Sequence, residues 1–396
     1  MTVDYKYKNL YWKPHIDKQL KIAADDGSVT FFNKDIDWEN FELSESLCSE
    51  SELQFGCCEA SVLKFRIHNT FVSLKDKWLT VTETLEGNAN TPFQFGRYKV
   101  FSDVPTADRK YRDVIAYDAM HDIINAEMSG WYNKLLPNKQ SRTTMKQFRT
   151  SFIHHFGLEE KEIELINDDM IVEKTIEPEQ LSGKDVITSI CEINGCFGHI
   201  GRDGKFHYIY LPQDMMGLYP SNTLFPDRAP DYLPQSETGH LYPQDPKSEK
   251  IGTGTYIGCQ YEDFICKRIN KIQIRQEEND IGAIYPETQL NTQENCYIIE
   301  DNFLVYGKSA AQLKEIAKRL LDKITNIVYR PANVEAVGNP CFEVGDAIRL
   351  STKYELIETY ILQRTLKGIQ AKRDTYTASG AERHAENVNS ISKSII

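Results

Sequence analysis

The chain has 396 residues, so with domains of roughly 100 to 200 residues it is expected to fold as two to four units. Its 40% hydrophobic and 26% charged residues exclude a chain dominated by disorder. Forty-six Lys and Arg against 58 Asp and Glu leave a net charge of −12, which opposes attraction to a phosphate backbone and excludes stable nucleic-acid binding as the main role.

From Lys18 to Phe101 short β runs alternate with turns, at 28–32, 60–67, 78–84 and 93–101. Val62, Phe65 and Ile67, then Val72 and Leu74, keep no sustained 3.6-residue period, which predicts half-buried strands and a first β unit, a barrel or sandwich, over 1–110. Between Lys34 and Lys64 there is no cation, while Asp35, Asp37, Glu39, Glu42, Glu45, Glu50, Glu52 and Glu59 supply eight acids. That run reads as a solvated loop.

Val114, Tyr117, Met120, Ile124, Met128, Trp131 and Leu135 then recur at steps of three or four, predicting one helix ended by Pro137. A second helix is expected with Ser141 as N-cap, an apolar stripe of Met145, Phe148, Phe152 and Phe156, and Gly157 as its stop. Together they make an α-containing insert over 111–181.

Ser182 and Asp185 form a capping-box pair, and Val186, Ile187, Ile190 and Cys191 predict a short amphipathic helix ending near Gly195. A hairpin follows at 197–201 and 205–211 around Asp203-Gly204, a dipeptide suited to a two-residue type I′ turn. That turn would set Ile200 opposite His207 and His199 opposite Tyr208, sending the two histidines to opposite faces. It would also place Phe197, Phe206, Tyr208 and Tyr210 on one buried face. Helix and hairpin, 182–212, return to the first barrel.

Seven prolines from Pro212 to Pro246 mark a crossing between units over 213–256. Strands are expected at 264–275 and 296–300, followed by a helix over 309–328 that Ser309 and Gln312 cap. Its Leu313, Ile316, Ala317, Leu320, Leu321, Ile324 and Val328 face one way, toward a sheet. Further strands fall at 334–337, 344–350, 356–366 and 369–377, making 257–382 a second β-barrel and 383–396 a tail. The fold class is therefore α+β, mostly β, with two tube-like β-barrel domains, a helical insert and one peripheral helix.

Catalytic chemistry has no foothold here. There is no G-x-x-x-x-G-K-[ST], H-E-x-x-H or G-x-S-x-G, and His154 and His155 leave their helix about 100° apart. No catalytic residue, cofactor or metal site is expected, and the chain is read as a non-enzyme. The nine cysteines contain no CxxC pair, their closest spacings being Cys57 beside Cys58 and Cys191 before Cys196; they read as apolar packing residues of a reducing compartment. No apolar run approaches the roughly 18 residues of a membrane-spanning helix, and Met1 to Trp12 lacks the apolar stretch of a signal peptide, so folding in a cytoplasm is expected.

Three stretches carry a resemblance. The first runs from Glu45 to Ser61 and includes Leu47, Cys48, Phe55 and Gly56. The second includes Gly183 within Leu181 to Val186, then Gly195, Phe197 and the turn Asp203-Gly204. The third is Tyr329-Arg330-Pro331 followed by Gly338-Asn339-Pro340 and Gly345-Asp346. In this order they resemble segments of the baseplate hub or tail-associated proteins at the tip of tailed-phage tails, whose fold is shared with the hub part of type VI secretion spikes.

The resemblance implies a homotrimer in which two barrels per chain build a six-fold-like ring. Such a ring adapts the hexameric tail tube to a three-fold tip and closes or gates the DNA channel. The implied partners are further copies of the chain, the distal tail or tail tube protein, the C-terminus of the tape measure protein, a spike or receptor-binding protein, and DNA in transit. The implied location is the virion tail tip, assembled in the host cytoplasm. An acidic lumen would keep passing DNA from adhering to its wall. Because the chain ends at Ile396, soon after the second barrel, the wall-hydrolase region of many family members is not carried over. The competing reading is a cell-wall binding or degrading module using Tyr219, Tyr232, Tyr242 and Tyr256 as sugar platforms.

Overall fold

The computed structural model describes residues 5–384, apart from 14, 49–52, 70–71, 87–91, 214–247, 253, 277–279, 281, 288–294 and 353–354. The N-terminal part holds α1 (Tyr5–Tyr11), β1 (Lys18–Ala24), β2 (Thr30–Phe32), β3 (Glu42–Ser46), β4 (Val62–His68), β5 (Trp78–Leu85), β6 (Phe93–Pro105) and β7 (Tyr111–Tyr117). A helical region follows, with α2 (Ala119–Ile124), α3 (Ser129–Leu135), β8 (Arg142–Thr144), α4 (Met145–His155), β9 (Ile171–Glu173), α5 (Gly183–Ile193) and the hairpin β10 (Phe197–Ile200) and β11 (Phe206–Ile209). Then come β12 (Ser248–Ile251), β13 (Tyr256–Tyr261), β14 (Lys271–Ile274), β15 (Ala283–Tyr285), β16 (Cys296–Ile299) and α6 (Ala310–Ile324). The chain closes with β17 (Ala332–Val337), β18 (Ala347–Ser351), β19 (Leu356–Tyr360), β20 (Gln363–Lys367) and β21 (Arg373–Ala378).

Period-two patterning builds most of these strands: β5 and β4 bury every second residue, and so do β1, β3 and β17. Eleven strands form one sheet in the order β13-β17-β21-β20-β3-β4-β7-β6-β5-β1-β2, with every neighbouring pair antiparallel. The ladder between β3 and β20 joins the N-terminal and C-terminal β units directly. Two separate closed barrels were expected, but among the described residues no ladder joins β13 to β2, and the sheet stays open. Pairing of β3 with β20 is specified by inward residues that are in phase: Leu43 opposes Leu366 and Glu45 opposes Arg364.

Helix α6 packs its buried face of Leu313, Ile316, Ala317, Leu320 and Ile324 against the small sheet β15-β14-β16. The expected capping box at Ser309 and Gln312 is present, although the helix ends at Ile324 rather than reaching Val328. Ser182 and Asp185 likewise cap α5 reciprocally. Among the described residues no helix is long and apolar enough to cross a membrane. All nine cysteines are free and seven are buried, in keeping with a packing role.

Several local expectations are overturned. The helix expected from Val114 to Leu135 is a strand followed by two short helices, because Val114 and Ala116 also fit a period of two and pair between β4 and β6. Asp118 then caps α2, accepting from the Met120 N–H at 3.0 Å. Residues 111–117, assigned to the helical insert, therefore belong to the main sheet. Helix α4 starts at Thr144 with Gln147 as its capping-box partner, not at Ser141, whose hydroxyl instead donates to Asn138 Oδ1.

The β10–β11 loop has three residues rather than two, because Gly201 N–H bonds the Lys205 carbonyl and Gly204 turns back on Gly201 with φ +75°. The register shifts by one, so His199 opposes His207 on a shared face, and Phe197 lies on that face with Ile209, opposite Phe206 and Tyr208. The strand expected over 356–366 breaks at Ile361-Leu362 into β19 and β20, which join different sheets. Part of the acidic run is structured rather than a solvated loop: Asp35 and Asp37 cap 3₁₀ turns, Glu42 pairs with Lys64 and Lys367 in the sheet, and Glu45 is buried, while Glu59 lies outside any strand and Glu50 and Glu52 fall outside the described residues.

Ser182→Ala removes the α5 cap and is expected to cost about 1 kcal/mol, whereas Lys184→Ala on the exposed face of the same helix stays within about 0.5 kcal/mol. Urea unfolding followed by circular dichroism distinguishes the two.

Candidate functional site

The three stretches that carry the resemblance converge at the junction of the β units. Arg364 on β20 lies there fully buried, with Glu45 of β3 opposite it and Asp374 of β21 on its other side. Its Nη1 donates to Glu45 Oε2 at 3.0 Å and to the Phe342 carbonyl at 2.6 Å. Its Nε and Nη2 reach Asp374 Oδ1 and Oδ2 at 2.9 and 3.1 Å, and Nη2 also reaches the Asn339 carbonyl at 3.3 Å. All five guanidinium donors therefore have an acceptor.

Asp374 is held in turn by the Tyr376 hydroxyl at 3.0 Å and the Asn339 N–H at 2.8 Å. Burial alone would raise the Glu45 carboxyl, yet Arg364, then Arg202 and His199, hold it below the ordinary range. For Arg364, burial pulls the guanidinium down and Asp374 and Glu45 outweigh it, keeping the charge fixed.

A second buried pair lies alongside. Lys372 Nζ meets Glu83 Oε1 at 2.5 Å, both fully buried, and the Tyr11 hydroxyl donates to Glu83 Oε2 at 2.7 Å. Asn339 adds a third tie, its Nδ2 donating to the Lys8 carbonyl at 3.1 Å. Arg202 in the β10–β11 loop pairs with Glu343 at 3.1 Å and donates to the Phe342 carbonyl at 2.9 Å. The loop Gly338–Asp346 is thus gripped by α1, the hairpin and β20 together.

The structure brings most of the motif positions to this junction. Leu47 N–H bonds the Leu362 carbonyl at 2.8 Å, and the Cys48 carbonyl accepts from Gln363 at 2.7 Å. Phe55 packs tilted against Phe197 at 5.5 Å and edge-on against Tyr297 at 5.3 Å. Gly345, at φ +90°, sits where an added Cβ would lie 2.6 Å from Ile209 of β11 and 3.5 Å from Leu47, so residues of the first and third stretches meet there against the hairpin strand. Gly56, also at φ +90°, has the same role against α5, with Glu192 Cβ at 2.7 Å and the Thr188 carbonyl at 2.8 Å.

Gly338 approaches Lys372 closely, Pro340 is buried in the same loop, and Gly195 lies against Leu320 and Ile324 of α6. Asp203 holds His207 at 2.9 Å. Three positions stand apart: Gly183 packs on Ile123, Gly204 faces open space at the hairpin tip, and the Pro331 carbonyl accepts from Glu262 at the sheet edge. Ser49 to Glu52, Tyr219, Tyr232 and Tyr242 lie outside the described residues, while Tyr256 is an ordinary residue of β13 opposite Ala336.

A cleft of about 220 Å³ opens beside the junction, lined by His199, His207, Tyr210, Pro212, Glu343 and Asp346. Burial pushes the His199 imidazole below its ordinary value, only partly countered by Glu45 and Glu343. Burial pushes Asp346 up to about 6, against the Glu343 N–H that donates to its carboxylate at 2.9 Å. Among the described residues no group of three His, Cys, Asp or Glu is arranged to hold a metal ion. Sequence reasoning missed Arg364, Asp374, Lys372 and Glu83. The available signal was a charge in phase with apolar neighbours, as Arg364 with Leu366 or Asp374 with Ala378.

The fold so built, a long antiparallel sheet with a helical insert, is similar to that of solved phage tail proteins. Prophage MuSo2 43 kDa tail protein from Shewanella oneidensis is similar over 92% of this chain and 100% of its own, at 10% identity and a TM-score of 0.50. The tail protein from Neisseria meningitidis MC58 is similar over 91% and 95%, at 8% identity and a TM-score of 0.52. Prophage tail protein gp18 from Listeria monocytogenes EGD-e is similar over 92% and 95%, at 13% identity and a TM-score of 0.44. No protein-family model matches the sequence, and no curated protein matches it.

Arg364→Ala leaves Glu45 and Asp374 buried without their cation and is expected to cost about 3–5 kcal/mol in urea unfolding. The folded-state value of Asp346 lies above its unfolded value, so stability is full below about pH 4 and is lost as pH rises through about 6. Asp346→Asn should match the unsubstituted chain near pH 4 and exceed it by about 1–3 kcal/mol at pH 8, measured as unfolding midpoints at both values.

Proposed function

We propose that the chain is a structural component of a phage tail, the baseplate hub or tail tip protein. Three copies form a ring that adapts the hexameric tail tube to a three-fold tip and closes or gates the DNA channel. The observation that carries this reading is the likeness in fold to phage tail proteins along nearly the whole chain, 92% of it matching 100% of the Shewanella oneidensis protein. The ordered sequence resemblance supports the hub in particular, because its segments meet at one junction that fixes how the two β units sit together.

The protein acts through assembly rather than catalysis. Its partners are further copies of itself, the distal tail or tube protein, the tape measure C-terminus and a spike or receptor-binding protein, within the virion. The net charge of −12 suits a channel wall from which passing DNA is repelled.

Light scattering of the purified chain, with negative-stain images of the same peak, tests the reading. Three times the chain mass of 45.6 kDa with three-fold rings is the expected result. A monomer that also fails to form rings when mixed with its tail tube protein would overturn it.

A further inference from the structure

The helical insert carries a surface feature that the junction does not use. Helices α3 and α4 flank a groove of about 1010 Å³ whose apolar floor includes Trp131 and Leu135. The Trp131 ring is fixed there, 5.1 Å from Phe148 and 5.3 Å from Phe152, with its Nε1–H donating to Ser151 Oγ at 3.3 Å. Lys134, Lys146, His154 and His155, all exposed, stand around this floor; among the described residues no acid is in its lining, and Glu160, which the Thr150 hydroxyl reaches, is paired with Arg149. On a chain of net charge −12 this is a local reversal of sign.

We infer that this groove docks an acidic amphipathic helix of a separate protein. Charge complementarity selects the occupant: lysines flanking an apolar floor favour a helix with an aliphatic face and glutamate or aspartate along its borders. Shape agrees, because the 11 residues of α4 extend about 16 Å, the length of roughly three helical turns. A nucleic acid would gain from the lysines but would leave the apolar floor unfilled, and the rest of the chain would repel it. A helix fills the floor and meets the cations at once. The inference stands independently of ring formation, since the groove lies on the insert and a single copy suffices.

Fluorescence anisotropy with the full chain tests it, using a labelled peptide of roughly 12 residues, three turns long, with leucines on one face and glutamates elsewhere. A second peptide carries lysines in place of the glutamates. The Leu/Glu peptide should bind, the Leu/Lys peptide should not, and affinity should fall steeply as salt rises from about 50 to about 500 mM. Lys134→Glu combined with Lys146→Glu should weaken binding about tenfold or more, as should Leu135→Asp. The lysine variants change only exposed side chains, so an unaltered unfolding midpoint shows that the loss is local. Equal binding of both peptides, or unchanged affinity in the charge-reversed variant, overturns the inference. So does a self-association of the chain that Leu135→Asp abolishes, which would give the groove to a second copy.

Discussion

Everything about this chain's architecture turns on one buried guanidinium. Arg364 cannot be left in the interior without anions, and the two it has come from different halves of the chain, Glu45 from 319 positions upstream and Asp374 from the next strand. A register in which β3 slipped by one residue against β20 would turn Glu45 to the other face and strand the charge. The network therefore specifies the pairing as much as it stabilises it. Lys372 and Glu83 repeat the device between the same halves, 289 positions apart.

The loop Gly338–Asp346 is where this constraint becomes a shape. Its carbonyls at Asn339 and Phe342 saturate Arg364, its Asn339 reaches α1, and its Glu343 meets the hairpin through Arg202. Residues that are weak signals one at a time in sequence acquire a common purpose here. Gly345 admits Ile209 and Leu47, and Phe55 packs against Phe197. The helical insert reaches the same region, its Lys161 and Ile163 lining the cleft beside the junction with Glu343 and Asp346.

What was legible in the sequence was local. The capping boxes at Ser182 and Ser309 were readable because both partners lie within one turn. Four strands of the first β unit, β2, β4, β5 and β6, were readable in the sequence, whereas β1, β3 and β7 were not. The apolar spacing from Val114 to Leu135 fits both a helix and a strand, and only pairing with β4 and β6 decides. The hairpin register depended on a single Gly201–Lys205 hydrogen bond, so counting turn residues placed His199 and His207 on opposite faces when they share one. The central ion pairs were illegible as pairs, since nothing in Glu45 names Arg364. Sharing of one sheet by both β units, rather than two closed barrels, follows from those same long-range pairs.

Native-state hydrogen exchange of the intact chain tests most directly whether this junction makes the two β units one body. The amides of β3, β4, β20 and β21 should then open together, with a common free energy that falls by the same amount in all four strands when Arg364 is removed. Separate opening of residues 332–378 while 18–117 stay protected, unaffected by that substitution, would contradict it.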